Sequence, residues 1–167
     1  MKSNLLTNDL NLKQESIEQL CELGGEEIID FLITLLDQSD SSIRDMSALA
    51  LGKIMDIKAV EPLLEAIFKK ENEGYTGTMV FALETLDCSK YLKEIFKIMF
   101  YHAYESKMSA IAILDTQVFE FTKEDLIEIK NMWQNCLQNP ESCPEIMNEE
   151  VKSEMEKSVN SYLEYLK

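Results

Sequence analysis

The sequence predicts an all-α fold built from stacked helix pairs, and three observations lead to this expectation. Apolar residues recur at helical spacing along almost the whole chain of 167 residues. The chain has only 5 glycines and 3 prolines, too few for the turns of a many-stranded β fold. A pattern of one small and several large apolar residues also recurs along the chain, as expected for a repeat architecture.

The apolar periodicity divides the chain into nine expected helices. An eighth helix is expected to start after Thr122 and to end before the Asn139–Pro144 segment, the strongest break in the sequence. The other eight are expected at about Leu12–Leu23, Glu26–Leu36, Ile43–Ile54, Ala59–Phe68, Tyr75–Leu86, Lys90–Tyr101, Ser106–Leu114 and Glu145–Leu166.

Local signals mark several of the helix ends. Gly24 and Gly25 are expected to end the first helix, because glycine accepts the left-handed conformation of a C-terminal cap. The polar segment Asp37–Ser42 has the residue types that cap helix N-termini. Thr122, followed three residues later by Asp125, forms a capping-box-like pattern.

The repeat is clearest around three alanines. Ala50, Ala82 and Ala110 each precede a large apolar residue and are followed by another four positions on, at spacings of about 32 and about 28 residues. A small residue lets one helix approach its partner closely, while the large residue fills the groove between stacked pairs. These alanines are therefore predicted to be buried, since one helix pair cannot hide its apolar face alone.

Two stretches resemble a known repeat family. Asp40–Ile54, with its aspartate, arginine, alanine-rich helix and glycine, is similar to the second helix of a short bacterial HEAT repeat. Ala59–Ile67, which begins Ala-Val-Glu-Pro-Leu, is similar to the first helix of the next repeat. The resemblance is to the type named after phycobilisome lyases, and it covers Glu27–Leu86 well and extends more weakly to Leu114. It implies a right-handed α-α superhelix, a HEAT-like solenoid of antiparallel helix pairs. Gly74–Thr78 departs from the family pattern, which has Val-Arg there.

The chain is expected to have two parts. Residues 1–139 are predicted to form the HEAT-like helical-repeat domain. Residues 140–167 are predicted to form a C-terminal helix that caps the array or packs on a partner, because the break at Pro140 precedes a mostly charged helix.

The charge balance excludes some classes of partner. The chain has 16 basic and 31 acidic residues, a net charge of −15. Such a surface repels phosphate backbones and anionic membranes, so neither nucleic acid nor membrane is an expected partner. A basic protein would be attracted and its association accelerated. The competing interpretation is that the negative charge serves only to keep the protein soluble.

No motif for catalysis, metal binding or nucleotide binding is recognisable, so a non-enzyme without cofactor or metal is predicted. The four cysteines show no CxxC spacing, and three lie in apolar contexts, which favours reduced thiols in the cytoplasm. The N-terminus lacks the apolar core of a signal peptide. His102 is the only histidine and is expected to be structural or on the surface.

Aromatic and acidic residues cluster around the middle repeat, and this is where a partner is expected to bind. Exposed tyrosines among acids are common anchors for protein partners, and acids would suit Lys or Arg side chains. Packing between helices is the competing interpretation for each aromatic residue, and a merely solvated face for the acids. The candidate partner-binding residues are Glu71, Glu73, Tyr75, Phe81, Glu84, Asp87, Tyr101 and Tyr104.

The favoured function is therefore a protein–protein interaction module with an acidic surface. A sharper hypothesis is a bacterial immunity or antitoxin protein that neutralises a basic toxin domain. Two alternatives stay open. One is an enzyme similar to the phycobilisome lyases, which attach bilins. The other is a structural scaffold subunit that uses its last helix to dimerise.

Overall fold

The structure, a computed structural model, describes residues 9–166 and is all-helical over that range. It has nine α-helices and no β-strand there, which confirms the predicted fold class. No helix in the described part of the chain has both the length and the apolar composition to cross a membrane. The helices are α1 (Leu10–Leu23), α2 (Glu26–Leu35), α3 (Ser41–Ile54), α4 (Val60–Phe68), α5 (Gly77–Leu83), α6 (Leu92–Tyr101), α7 (Tyr104–Thr116), α8 (Lys123–Gln138) and α9 (Glu149–Leu163).

The helices form two compact units, which divide between Asp87 and Cys88. In the first, unit 1, helix α2 packs on α3 and α4 packs on α5, so these four helices form two consecutive pairs. The second helices of the pairs stack, because α3 contacts α5 directly, and α1 packs on the other side of α3. Unit 1 therefore has a row of α1, α3 and α5 beside a row of α2 and α4.

Unit 2 repeats this arrangement with α6 to α9. Helix α6 pairs with α7, and α8 pairs with α9. The first helices, α6 and α8, stack on each other, and so do the second helices, α7 and α9. The last helix thus packs on α7 and α8. The separate role expected for residues 140–167 stays a prediction.

The small-residue seams are hidden, as predicted. Ala50, Ala82 and Ala110 are each 3 % exposed or less. The large apolar residues that follow the first two, Leu51 and Leu83, are fully buried. The repeat pattern read from the sequence therefore corresponds to the core of each unit.

Helix α5 is shorter than the predicted Tyr75–Leu86. It starts two residues later because Gly74 has a positive φ of 82° and Tyr75 closes a turn on Asn72. It ends at Leu83, where the Thr85 hydroxyl shares its one hydrogen between the Gly52 carbonyl at 2.7 Å and the Ala82 carbonyl at 3.1 Å in the last turn of α5.

The last helix is also shorter than the predicted Glu145–Leu166. Glu145 has a φ of 62°, a left-handed conformation that a continuous α-helix excludes. The helix starts after Asn148, whose side chain accepts from the N–H groups of Glu150 and Val151. It ends at Leu163, and the residues that follow, Glu164–Leu166, form a tighter 3₁₀ turn.

A lysine lies in the core of unit 2. Lys107 of α7 is completely buried, and its ammonium donates to the carbonyls of Met99 and Phe100 in the last turn of α6. A cation at a helix C-terminus satisfies carbonyls that the helix cannot. Lys107 therefore joins the two helices of the α6–α7 pair by a polar contact.

Two of the buried cysteines meet near this lysine. Cys136 and Cys143 are hydrogen-bonded to each other. The bond that Cys136 donates holds its own thiol pKa above the usual range and lowers the pKa of Cys143. Three of the four cysteines, Cys88, Cys136 and Cys143, are buried and unbridged, as the apolar sequence context predicted.

Candidate functional site

The eight predicted partner-binding residues divide between the two units. Six lie in unit 1, from Glu71 to Asp87, and two, Tyr101 and Tyr104, lie in unit 2. Each unit therefore carries its own set of candidate partner-binding residues.

Three of the four predicted aromatic anchors are exposed. Tyr75 is 71 % exposed, Phe81 54 % and Tyr104 50 %. Tyr101 is half-buried instead, with its ring against Phe100, and burial raises the pKa of its phenol. The structure thus leaves three of the four rings accessible to a partner, and packs Tyr101 between helices.

Among the predicted acids of unit 1, Glu71, Glu73 and Asp87 are exposed. Glu84, which was expected to point away from the α5 seam, is half-buried. Its carboxylate is thus less available to a partner than those of Glu71 and Glu73.

Glu71 and Tyr75 share a cleft of about 640 Å³ in unit 1, between the loop after α2 and the loop after α4. The cleft is not purely acidic, because Lys69 and Arg44 also line it. Lys69 forms an ion pair with Asp37, which raises the pKa of the lysine. The unit 1 cleft therefore mixes both signs of charge.

Arg44 is a structural part of that cleft. It is 8 % exposed, and one guanidinium nitrogen donates to the carbonyls of Gln38 and Ser39 at 2.8 and 3.0 Å. These carbonyls belong to the turn between α2 and α3, so Arg44 fixes this turn. The arginine noted in the family resemblance thus positions the cleft wall.

Tyr104 lies in a different cleft, of about 530 Å³, which we call the glutamate cleft. It is formed in unit 2 by the first turns of α7 and α9, which stack side by side. Tyr104 and Met108 line it from α7, and Glu149, Glu150 and Glu154 line it from α9. None of its lining residues, all in the described part of the chain, is basic.

Local folding explains this arrangement. Asn148 caps α9 and so starts the helix beside Tyr104, and Val151, 5 % exposed, anchors that first turn in the core. Glu150 and Glu154 are four residues apart and therefore project from one face of α9. Glu154 also forms an ion pair with Lys157 at 2.5 Å, so part of its charge is already compensated.

The three glutamates were missed by the sequence analysis. The i, i+4 spacing of Glu150 and Glu154 was visible in the sequence, but about 45 residues separate Glu149 from Tyr104. Only the stacking of α7 on α9 brings them together. Within residues 9–166, no group of three or more His, Cys, Asp or Glu side chains is arranged to hold a metal ion.

A comparison with protein families identifies the repeat. Residues 4–84 match a family described as HEAT repeats. The match starts earlier than the resemblance seen from Glu27 and ends close to the same place. No curated protein matches the chain. HEAT repeats commonly serve as protein-interaction surfaces. The chain is therefore similar to HEAT repeats over residues 4–84.

Proposed function

We propose that the chain is a non-catalytic protein-binding module whose partner is a basic protein. The observation that carries this proposal is the glutamate cleft, in which Tyr104 lies beside three carboxylates without a basic lining residue. A Lys or Arg side chain would gain charge-assisted hydrogen bonds from the glutamates and a cation–π contact with the Tyr104 ring.

The overall charge supports the same partner. At −15, the chain attracts a basic protein over a distance of about 10 Å at moderate salt, which raises the association rate. The mixed charges of the unit 1 cleft favour a basic group less strongly, since Lys69 and Arg44 lie beside Glu71 there. We therefore place the main contact at the glutamate cleft.

The experiment is capture from the native host with the tagged full chain, elution with stepped salt, and identification by mass spectrometry. We expect a basic protein that elutes as salt rises. Glu150→Gln with Glu154→Gln should lower its capture severalfold, because neutral side chains lose the charge-assisted bonds. The matched control is Glu124→Gln with Glu141→Gln, which removes the same charge from exposed positions outside the cleft.

Two outcomes would contradict the proposal. One is a partner without net positive charge, bound equally at low and high salt. The other is equal loss of capture in the cleft variant and the control, since the net charge alone would then account for binding. Glu71→Lys with Glu73→Lys tests the acids predicted from the sequence, and unchanged capture would remove them from the binding surface.

A sharper form of the proposal is that the partner is a toxin domain and the chain its immunity protein. Nuclease toxins need basic surfaces to bind phosphate backbones, and a strongly acidic protein complements such a surface. In that case the captured protein would lose its toxic activity on adding one equivalent of the chain. Full activity in the complex would exclude the immunity role and leave a binding module.

The same preparation tests the alternatives. A bilin-attaching enzyme of the lyase type would carry a coloured ligand in place of a protein partner. A scaffold subunit that dimerises through α9 would sediment as a dimer without added partner.

A further inference from the structure

A second cleft in unit 2, of about 530 Å³, has four aromatic side chains among its lining residues; we call it the aromatic cleft. It lies at the C-terminal ends of α7 and α9 and in the segment that joins α7 to α8. Tyr165 is 73 % exposed there and Val118 is 89 % exposed. These two exposed side chains leave apolar surface at the cleft available to a partner.

The rings of the aromatic cleft stand nearly perpendicular to one another. Phe121 lies 5.4 Å from Tyr165 at 64° and 5.9 Å from Tyr162 at 73°, measured between ring centroids. The Tyr162 hydroxyl donates to the Leu114 carbonyl at 3.1 Å, which fixes that ring against α7. Perpendicular rings form a corner, and an aromatic face carries the negative part of the ring quadrupole.

The charge at this corner is also negative. Asp115, exposed, is the one charged side chain among the lining residues, all of which lie in the described part of the chain. Burial and the nearby Asp115 raise the pKa of Tyr162 to about 12, so this phenol stays neutral at physiological pH. Aromatic faces beside a single carboxylate favour an organic cation over an anion or a neutral apolar group.

The aromatic cleft and the glutamate cleft lie on the same side of the α7–α9 pair. Tyr104, Met108 and Asp115 of α7 are four and seven residues apart, spacings that keep side chains on one helix face. Glu154 and Ser161 of α9, which line the glutamate cleft and the aromatic cleft, are seven residues apart and share a face of that helix in the same way. With a rise of 1.5 Å per residue, Tyr104 and Asp115 are about 16 Å apart along α7. A peptide segment of the partner that is bound at one cleft can therefore reach the other cleft along the same side of the helix pair.

We propose that the aromatic cleft binds an arginine side chain of the protein partner, with its guanidinium stacked on the exposed Tyr165 ring beside Phe121 and its charge facing Asp115. Arginine fits better than lysine because its planar group stacks on rings and pairs with a carboxylate at the same time. This inference rests on the proposed function for the identity of the partner. The arginine contact itself can be tested without any partner.

The test is a titration of the full chain with N-acetyl-arginine amide, followed by the aromatic NMR signals of Phe121 and Tyr165. The neutral analogue N-acetyl-citrulline amide is the matched probe, since it keeps the shape and loses the charge. We expect saturable shifts with the arginine probe only. Asp115→Asn should weaken binding about threefold or more, whereas Glu141→Gln, an exposed acid outside the cleft, should leave it unchanged.

Tyr165→Leu should abolish the shifts that the arginine probe causes at Phe121, and the fold should stay intact because Tyr165 is exposed. Equal shifts with both probes would overturn the proposal. A Tyr165→Leu variant that binds the arginine probe normally would also overturn it. So would a Tyr165→Leu variant whose only change is that a dimer of the chain becomes a monomer in sedimentation, because the cleft would then be occupied by a second copy. If the native chain captures its partner through the glutamate cleft but does not bind the arginine probe, this inference alone is overturned. If it binds the arginine probe but captures no basic protein, only the proposed function is overturned.

Discussion

Gly52 of α3 lies directly against the backbone of Ala82 of α5. A Cβ atom on Gly52 would stand 3.0 Å from the Ala82 carbonyl oxygen and 3.1 Å from its Cα. The Thr85 hydroxyl donates to the Gly52 carbonyl at 2.7 Å across the same contact. The two stacked helices of the HEAT region thus meet at backbone distance.

This contact predicts that Gly52→Ala destabilises the chain. Helix propensity alone would make alanine better by about 1 kcal/mol, but the added methyl must push on a backbone that has no flexible end to move. Overpacking of this kind costs about 1–3 kcal/mol, so a net loss is expected. Urea unfolding measures it, with Lys53→Ala, at the exposed next position, as control. A more stable Gly52→Ala protein would show that the helices separate easily.

The seam that contains Gly52 was predictable because its information is local and repeated. Ala50 and Ala82 occupy the same place in the repeated pattern, and burial of small residues at that place is what stacked helices need. The capping box of Thr122 and Asp125 was predictable for a similar reason, since both its hydrogen bonds lie within four residues.

The glutamate cleft was not predictable in the same way. Tyr104 was recognised as a candidate anchor, but its acidic neighbours were sought among Glu71, Glu73 and Glu84, which are close in sequence. The structure places Glu150 beside it instead, through the stacking of second helices. Helix periodicity indicates which residues face a neighbour, but it does not identify that neighbour.

Asp40 caps α3, and its carboxylate also forms an ion pair at 2.5 Å with the ammonium of Lys13 in α1. Lys13 is buried, with 4 % of its surface exposed. The bonds from Lys13 and Ser42 lower the pKa of Asp40 to about 2, against about 3.9 in an unfolded chain. The folded chain therefore favours the ionised form of Asp40 more strongly than the unfolded chain does. This stabilisation is complete above about pH 4 and is lost as the pH falls towards 2.

Asp40→Asn should keep the cap acceptor but leave the Lys13 ammonium without its counter-charge. We expect a loss of about 1–2 kcal/mol at neutral pH, moderated because Asp40 is partly exposed. The difference from the native chain should shrink below about pH 4. The matched control is Asp30→Asn, which breaks the exposed pair with Lys58 and should cost clearly less, because solvent screens that pair. Equal effects of the two changes would contradict the importance of Lys13 burial.

Thr122 caps α8 by accepting from the Asp125 N–H at 3.2 Å, and the Asp125 carboxylate accepts from the Thr122 N–H at 2.8 Å. Thr122→Ala removes the first bond and should cost about 1 kcal/mol of unfolding free energy. Thr122→Ser keeps the hydroxyl and should stay close to the native value. Thermal or urea unfolding distinguishes the two, and equal losses would show that the threonine methyl matters more than the cap.

Lys107 predicts an unusual pH dependence of stability. Burial lowers the pKa of its ammonium below the ordinary value of a lysine, although two carbonyls accept from it. Between that lowered pKa and about 10.4, the unfolded chain binds more protons at this position than the folded chain. The contribution of Lys107 to stability therefore rises with pH through this window.

Lys107→Met removes the titrating group and keeps most of the side-chain volume. The free energy of unfolding of the native chain, minus that of the variant, should grow as the pH is raised from about 7 to about 10. Cys136, Cys143 and Glu145 also face the ammonium, but they are present in both proteins, so most of their own titration cancels in the difference. Lys130→Met, at an exposed position of α8, is the control for the loss of one lysine charge. A difference for Lys107→Met that does not change with pH would mean that the buried ammonium keeps an ordinary pKa, with its carbonyl partners fully replacing the lost water.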